Sequence, residues 1–438
     1  MKKNNWIALL PIGVFLIMYL GLGIIFEYVL MIPMGFYNIP IVVAFLTALL
    51  VACFQNPSLS IEEKFELMAK GVGEKNILTM ILIFMTAGIF VGVVGRSSAE
   101  SVAYFLLSVI PARFSVLVLF VVSCFVSLAM GTSVGTITLI TPIALAVATA
   151  SGYEVPLCVG AVMGGSMFGD NLSFISDTTI AACNGQGCAM KDKFRANFAI
   201  ALPAALITLA NILQRTWGHP VQDLTGTGYD LIQIIPYLLV LIGGIAGFNV
   251  FLVLLVGIVS GSVIMLATGA TEITALLANM GSGAEGMYET TMVAILVSAI
   301  CALIHRYGGF DALLGFIRRV CKNRKTGKLG MGLLVGAMDI ATANNTVAIV
   351  MANPIAREMA EEYDISPRNA ASILDTFSCV FQGIIPYGAQ MLVALTAAHE
   401  LGYEISAFDV IPNLHYPMLL LITSLFFIFV IPERKQLN

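Results

Sequence analysis

Charge is what this chain has least of. Asp, Glu, Lys and Arg make up 11% of its 438 residues, under half of the roughly 25% found in an ordinary globular domain. That scarcity excludes a water-covered globule, and with it a soluble enzyme or a nucleic-acid binder. Short alternating segments are missing too, and continuous apolar runs stand in their place, which excludes a membrane β-barrel. The eight cysteines lack metal-ligand spacing. Cys183 and Cys188 flank a glycine-rich turn and are expected as packed thiols, with a disulfide as the alternative. No Walker-type phosphate loop, HExxH or Gly-x-Ser-x-Gly occurs in a setting that supports catalysis. Nor does any stretch read as a soluble domain that could hydrolyse ATP. The chain is therefore read as no enzyme and as needing no cofactor. If it moves a solute, the work must come from an ion gradient.

What is present is hydrocarbon. Apolar residues make up 58% of the chain, with 26 Phe and 21 Met, and the mean hydropathy is +0.93. Apolar runs of about 20 residues, the length that crosses a bilayer core, recur from end to end. The fold class is an all-α polytopic membrane protein. The opening MKKNNWIALLPIGVFLIMYLG has no clean small-residue cleavage site and is read as the first spanning helix. Spans are predicted near 6–24, 38–55, 77–95, 156–183, 194–213, 231–247, 249–268, 287–305, 368–395 and 415–432. Two more apolar stretches, 114–150 and 330–361, are broken at mid-length by MGTSVGT and DIATANNT. Each is predicted to be a re-entrant hairpin, whose polar tip needs protein or a watery cavity around it.

With the N-terminus inside and both stretches read as hairpins, all 22 Lys and Arg fall in inner segments except Arg96, Arg113 and Arg215. Lys64, Lys191, Lys193 and Arg195 count among the inner charges. The outer loops 269–286 and 396–414 carry none. Cytoplasmic loops concentrate Lys and Arg, so both termini are expected in the cytoplasm of a bacterial-type plasma membrane. Arg96 and Arg306 are expected to snorkel. His305 is a minor titratable candidate. Residues 60–76, SIEEKFELMAKGVGEKN, read as an amphipathic inner-surface helix with a solvated charged face.

The chain repeats itself. A shift of 210 places Arg96 on Arg306, Thr132 on Thr342, Thr136 on Thr346 and Tyr153 on Tyr363. The order helix, arginine, broken hairpin, tyrosine-acid turn and polar-centred helix occurs twice. Residues 1–220 and 228–438 are thus predicted to be two inverted repeats of about five transmembrane helices, each with a re-entrant hairpin and a broken helix. That plan belongs to alternating-access transporters.

Four polar interruptions carry the candidate chemistry. The tips offer Thr132, Ser133 and Thr136 in one half, and Thr342, Asn344, Asn345 and Thr346 in the other. Their hydroxyl, amide and carbonyl oxygens suit Na⁺, and the helix N-termini behind them suit a substrate anion. Helix–helix packing is the plainer role for such residues. FGDNLSFISDTT (168–179) places Asp170 and Asp177 inside an apolar helix, with Asn171, Ser173, Ser176 and Thr178 around them. A lone charge at the bilayer centre costs at least about 2.5 kcal/mol. Two acids with no Lys or Arg adjacent therefore point to cation binding or proton carriage, with Na⁺ at Asp170 and Asp177. If the segment unwinds between Gly169 and Ser176, both converge on one cavity. In the second half Asp375 is followed by Thr376, Ser378, Gln382, Tyr387 and Gln390. Asp375 joins the cation set, and the others are candidates for a substrate or second ion. Asp339 is read as a possible helix cap.

GDNLSFISDTT resembles the signature of the NhaC-type sodium/proton antiporter family, close to Gly-Asp-x-x-Ser-Pro-Ile-Ser-Asp-Thr-Thr. The match covers Gly169, Asp170, Ser173, Ile175, Ser176, Asp177, Thr178 and Thr179, with Phe174 in place of the usual proline. IIPYGA (384–389) resembles the second-half Ile-Pro-Trp motif more loosely. The hairpin plan is similar to that of the wider superfamily of sodium-coupled carboxylate carriers. The resemblance implies a secondary transporter coupled to Na⁺ or H⁺, working as a homodimer. The leading expectation is a Na⁺/H⁺ antiporter in which carboxylates exchange the two ions. The alternative is a Na⁺-coupled carrier or exchanger of a small organic acid or amino acid. The partners expected are membrane lipids, Na⁺, H⁺ and such a solute, with no nucleic acid.

Overall fold

The computed structural model describes residues 5–32, 39–174, 176–218, 228–246 and 248–431. Lys2, Lys3, Arg434 and Lys435 of the charge pattern, and Ile175 of the motif, lie outside the described residues. Within them the chain is helical throughout, with no strand. Eight helical stretches among the described residues are long and apolar enough to cross a membrane, or nine counting the bent pair Ala407–Asn413 and His415–Phe429.

The chain enters through a 3-10 turn (Trp6–Leu9), α1 (Leu10–Leu16), and α2 (Leu22–Ile24) set between two π-turns. There follow α3 (Ile41–Phe54), α4 (Ile61–Val72) and the long α5 (Lys75–Val109). The start of α4 follows from its sequence: Ser60 Oγ accepts from the Glu63 amide at 3.2 Å, and Glu63 Oε2 accepts from the Ser60 amide at 2.7 Å. One expectation for this helix fails. Lys64 is not on a solvated face; it is 5% exposed and donates to the Cys53 carbonyl at 2.8 Å. Helix α5 runs past the predicted end at residue 95. It breaks there at Gly95, whose φ of 62° and ψ of −173° are open to glycine alone. Arg96, just beyond, is exposed and pairs with Glu100 at 2.8 Å.

The first polar break lies between α6 (Ser115–Met130) and α7 (Ser133–Ser151), where Gly131 is left-handed with φ 68°. Next come α8 (Val155–Leu172), α9 (Asp177–Gln186) and α10 (Met190–Trp217). The predicted helix 156–183 is thus two helices, with α8 ending at Leu172 and α9 starting at Asp177. Helix α10 starts four residues before the predicted 194, so Lys191 and Lys193 belong to a helix and not to a loop.

The second half holds α11 (Leu231–Ile245), α12 (Val250–Ala267), α13 (Ile273–Gly286), α14 (Tyr288–Tyr307) and α15 (Gly309–Val320). The outer segment 269–286, read from sequence as a loop, is largely α13. It lies so close to α5 that a Cβ on Gly88 or Gly283 would strike the other's backbone carbonyl, the small-residue contact that lets membrane helices approach. Helices α16 (Arg324–Thr342) and α17 (Asn345–Glu362) form the second pair, turned at Ala343 with φ 48°. Helix α18 (Pro367–Ile384) breaks at Ile385–Gly388 and resumes as α19 (Ala389–Glu400). Pro386 within that break cannot donate to a helix. Finally α20 (Ala407–Val410) precedes α21 (His415–Phe429).

Two large apolar cores result, beside two small clusters. One is built mainly from α5 to α8, α10, α12, α19 and α21. The other comes mainly from α3, α14 and α16 to α18. The polar breaks lie where the two cores meet. All eight cysteines are free thiols, Cys183 and Cys188 included.

Candidate cation site

The break between α8 and α9 is held open by its own hydroxyls. Ser173 Oγ donates to the Leu128 carbonyl at 2.9 Å, and Ser176 Oγ to the Asp170 carbonyl at 3.1 Å. Thr179 Oγ1 donates to the Ser173 carbonyl at 2.8 Å. Ser176 also caps α9, accepting from the Thr179 amide at 3.2 Å. These bonds satisfy backbone that would otherwise be stranded in hydrocarbon. They leave Asp170 in the last turn of α8 and Asp177 on the first turn of α9.

Asp170 meets the start of α7. Its Oδ2 accepts from Ser133 Oγ at 2.6 Å and from the Ser133 amide at 3.3 Å, and its Oδ1 accepts from Thr178 Oγ1 at 3.5 Å. The first amides of a helix have no internal partner and carry a partial positive charge, so a carboxylate is well placed there. Thr132 caps the same helix through the Gly135 amide at 3.3 Å. From the other half, Gln390 Nε2 donates to Ser133 Oγ at 2.7 Å. Ser133 thus joins the first tip to α19.

Asp170 and Asp177 line one cavity of about 230 Å³, together with Thr132, Ser133 and Thr178. Asn344, Asn345 and Thr346 of the second tip close its other side. Asn344 caps α17 through the Val347 amide at 3.0 Å. No Lys, Arg or His stands among the described residues that line the cavity. Thr79 and Asn249 also line it; sequence reasoning passed over both, because each is an isolated polar residue at the start of an apolar run.

Asp375 is elsewhere. It forms a buried ion pair with Lys193, the two side chains being 2% and 1% exposed. Lys193 Nζ also donates to the Asn171 carbonyl and to Thr179 Oγ1, each at 2.7 Å. Asn197 Nδ2 completes the cluster, reaching Asp375 Oδ2 at 3.0 Å and Asn171 Oδ1 at 3.1 Å. This corrects the reading of Lys193 as a cytoplasmic loop charge and of Asp375 as a member of the cation set; Asp170 and Asp177 have no ion-pair partner among the described residues. The available signal was Lys193 and Asn197, four apart and so on one face of the helix.

The remaining candidates divide. Thr136 Oγ1 donates to the Thr132 carbonyl at 2.9 Å, and Thr342 Oγ1 to the Asn344 carbonyl at 3.0 Å; both fasten their own tips. Gln382 Nε2 is spent on the Ala343 carbonyl at 2.8 Å. Ser378 Oγ bonds Asp339 at 3.1 Å, so Asp339 is no helix cap. The Tyr387 hydroxyl donates to the Ile340 carbonyl at 2.8 Å, and its ring lies among Phe15, Tyr19 and Phe45. Thr376 opens toward a separate crevice beside Arg195 and Arg368. None of Thr376, Ser378, Gln382 or Tyr387 lines the cavity between the tips.

The chain is 24% identical over 362 residues to the Na⁺/H⁺ antiporter NhaC of Bacillus subtilis (strain 168), covering 73% of this chain and 78% of that protein. It is 23% identical over 393 residues to the Na⁺/H⁺ antiporter NhaC of Alkalihalophilus pseudofirmus, covering 80% and 82%. A third relative, the malate-2H⁺/Na⁺-lactate antiporter of Bacillus subtilis (strain 168), is 28% identical over 174 residues. That match spans 40% of this chain and 37% of the relative's length. Among solved structures, the YdaH transporter of Alcanivorax borkumensis aligns with 88% of this chain and 97% of its own, at a TM-score of 0.47 and 13% identity. The family model for the Na⁺/H⁺ antiporter family matches residues 6–214 and 226–431. Two broken helices around paired acids thus occur in a chain that, over nearly its whole length, belongs to the Na⁺/H⁺ antiporter family.

Proposed function

We propose that the protein exchanges Na⁺ for H⁺ by alternating access, with Asp170 and Asp177 as the carboxylates that trade one ion for the other. The observation that carries this is the cavity itself, in which two acids face each other's surroundings with no basic side chain among the described lining residues. An acid pair left without a fixed counter-charge must take a mobile one, because an uncompensated carboxylate in hydrocarbon is costly. Na⁺ is a hard cation suited to carboxylate, hydroxyl and amide oxygens. Protonating a carboxylate removes the charge that holds it, so one site used by both ions makes their exchange obligatory. Asp375 differs: Lys193 already neutralises it, so its part is to hold Lys193 and Asn197 against the Asn171 carbonyl at the end of α8.

The two tips meeting at one cavity supports hairpins that enter from opposite sides, since full crossings would carry their ends to opposite faces. It supports the inverted-repeat plan for the same reason. A homodimer in a bacterial-type inner membrane, with both termini cytoplasmic, completes the reading. Asp177→Asn in proteoliposomes should abolish Na⁺-induced dequenching of a pH-sensitive dye. Unchanged dequenching would sink the assignment.

A second reading has its own support. About 230 Å³ exceeds what one Na⁺ needs and holds on the order of seven waters at ~30 Å³ each. The N-terminus of α17 at Asn345, a partial positive charge, also borders it. A small organic acid carried with Na⁺ suits both facts, and one relative's name couples malate and lactate to these ions. Uptake of radiolabelled organic and amino acids into Na⁺-loaded vesicles separates the readings.

A further inference from the structure

Asp339 is the acid that the exchange reading leaves idle. It sits one turn before the end of α16 and is wholly buried, at 0% exposure. Its Oδ1 has one donor, Ser378 Oγ at 3.1 Å, and its Oδ2 has none. No Lys, Arg or His comes within ion-pair distance of it among the described residues. The titratable groups nearest this turn of α16 are Cys301 on α14, which donates to the Ala341 carbonyl at 3.2 Å; Tyr387, which donates to the Ile340 carbonyl at 2.8 Å; and Cys379, next to Ser378 on α18. An ionised carboxylate with a single neutral donor, sealed from water, is strongly disfavoured.

The first half provides a comparison. There an acid on the broken helix α8 bonds a serine at the hairpin tip, Asp170 to Ser133. In the second half an acid on the hairpin arm bonds a serine on the broken helix, Asp339 to Ser378. Each half pairs one acid with one serine across the same two elements, with the sides exchanged. One turn along α18 from Ser378 is another buried oxygen without a donor, Gln382 Oε1, whose amide nitrogen is anchored on the Ala343 carbonyl. What this turn lacks is a hydrogen.

We infer that Asp339 is a second proton-carrying carboxylate, separate from the cavity and seated at the root of the second tip. This rests on the Na⁺/H⁺ reading above and adds a proton to each cycle. The link to the cavity is short: Ser378 Oγ also reaches the Asn345 carbonyl at 3.4 Å, and Asn344 to Thr346 line the cavity. Losing the proton places a charge on Asp339, draws Ser378 toward it and loosens the hold on the tip. Proton release and tip movement are then one event.

The test uses the full-length protein in proteoliposomes, wild type and Asp339→Asn. The reversal potential of the exchange gives the number of protons moved per Na⁺, and the variant should move one fewer. Infrared difference spectra between acid and alkaline buffer should show a protonated-carboxyl carbonyl band in the wild type that Asp339→Asn lacks. Should Asp339→Asn fail to fold, Asp339→Glu must shift that band instead. An unchanged ratio, or a band present equally in wild type and variants, overturns the inference. A wild type that exchanges no protons for Na⁺ fails the parent reading instead, and the band still decides whether Asp339 binds a titratable proton.

Discussion

Asp170 and Asp375 are both nearly buried acids at the same broken stretch, yet one has a base and the other does not. Asp375 is closed by Lys193 and Asn197 of α10. Asp170 has only hydroxyls and a helix N-terminus, and it opens on the cavity that Asp177 shares. The difference teaches how a membrane protein divides its carboxylates. An acid given a fixed cation becomes architecture. An acid denied one becomes a place for a mobile ion.

The strongest way to break this comparison is Lys193→Ala. It leaves Asp375 buried and uncompensated, which should cost about 3–5 kcal/mol of stability, read as a large drop in thermal unfolding temperature in detergent. The double variant Lys193→Met with Asp375→Leu removes both charges and should recover most of that loss. If it does not, the pair is more than a neutralising device. At the cavity the pattern should invert. Asp170→Asn keeps a hydrogen-bonding group against Ser133 and should change stability little, yet cut exchange by about 100-fold, or about 2.7 kcal/mol of lost cation and transition-state binding. Equal losses of stability and exchange would erase the distinction between the two acids.

Smaller effects sharpen it. Gln390→Leu removes the donor that ties Ser133 to α19; a neutral hydrogen bond is worth about 1 kcal/mol, so the Na⁺ concentration for half-maximal exchange should rise by about five-fold. Thr132→Ala removes the cap of α7 at about 1 kcal/mol, read by thermal unfolding. Gly95→Ala, in a backbone region closed to other residues, should cost on the order of 1–3 kcal/mol and leave Na⁺ affinity unchanged. A shifted affinity there would mean that the α5 break belongs to the transport cycle.

Much of this was legible in the chain. Apolar runs locate the helices because twenty residues of hydrocarbon have no other stable home. The interruptions at 131–132, 173–176, 343–344 and 385–388 are marked by glycine, proline, serine and asparagine, residues chosen by backbone that must turn or bond locally. Other features were hidden. The helix Ile273–Gly286 contains Glu285 and three polar residues among its apolar ones, so it reads as a loop until its glycine face is seen against α5. Tyr387 reads as a solute ligand by its place among the polar residues that follow Asp375, but its hydroxyl is spent on Ile340 and its ring on Phe15, Tyr19 and Phe45.

The sequence by itself determined the solvent, the helices, the breaks and the acids, because hydropathy and local backbone chemistry are written residue by residue. Only the tertiary structure decided which acid has a base. Lys193 and Asp375 are far apart in the chain and meet only because α10 packs on α18, and the same packing leaves Asp170 and Asp177 facing an open space. Pairing is a property of distance in three dimensions, and charge counted along a chain does not contain it.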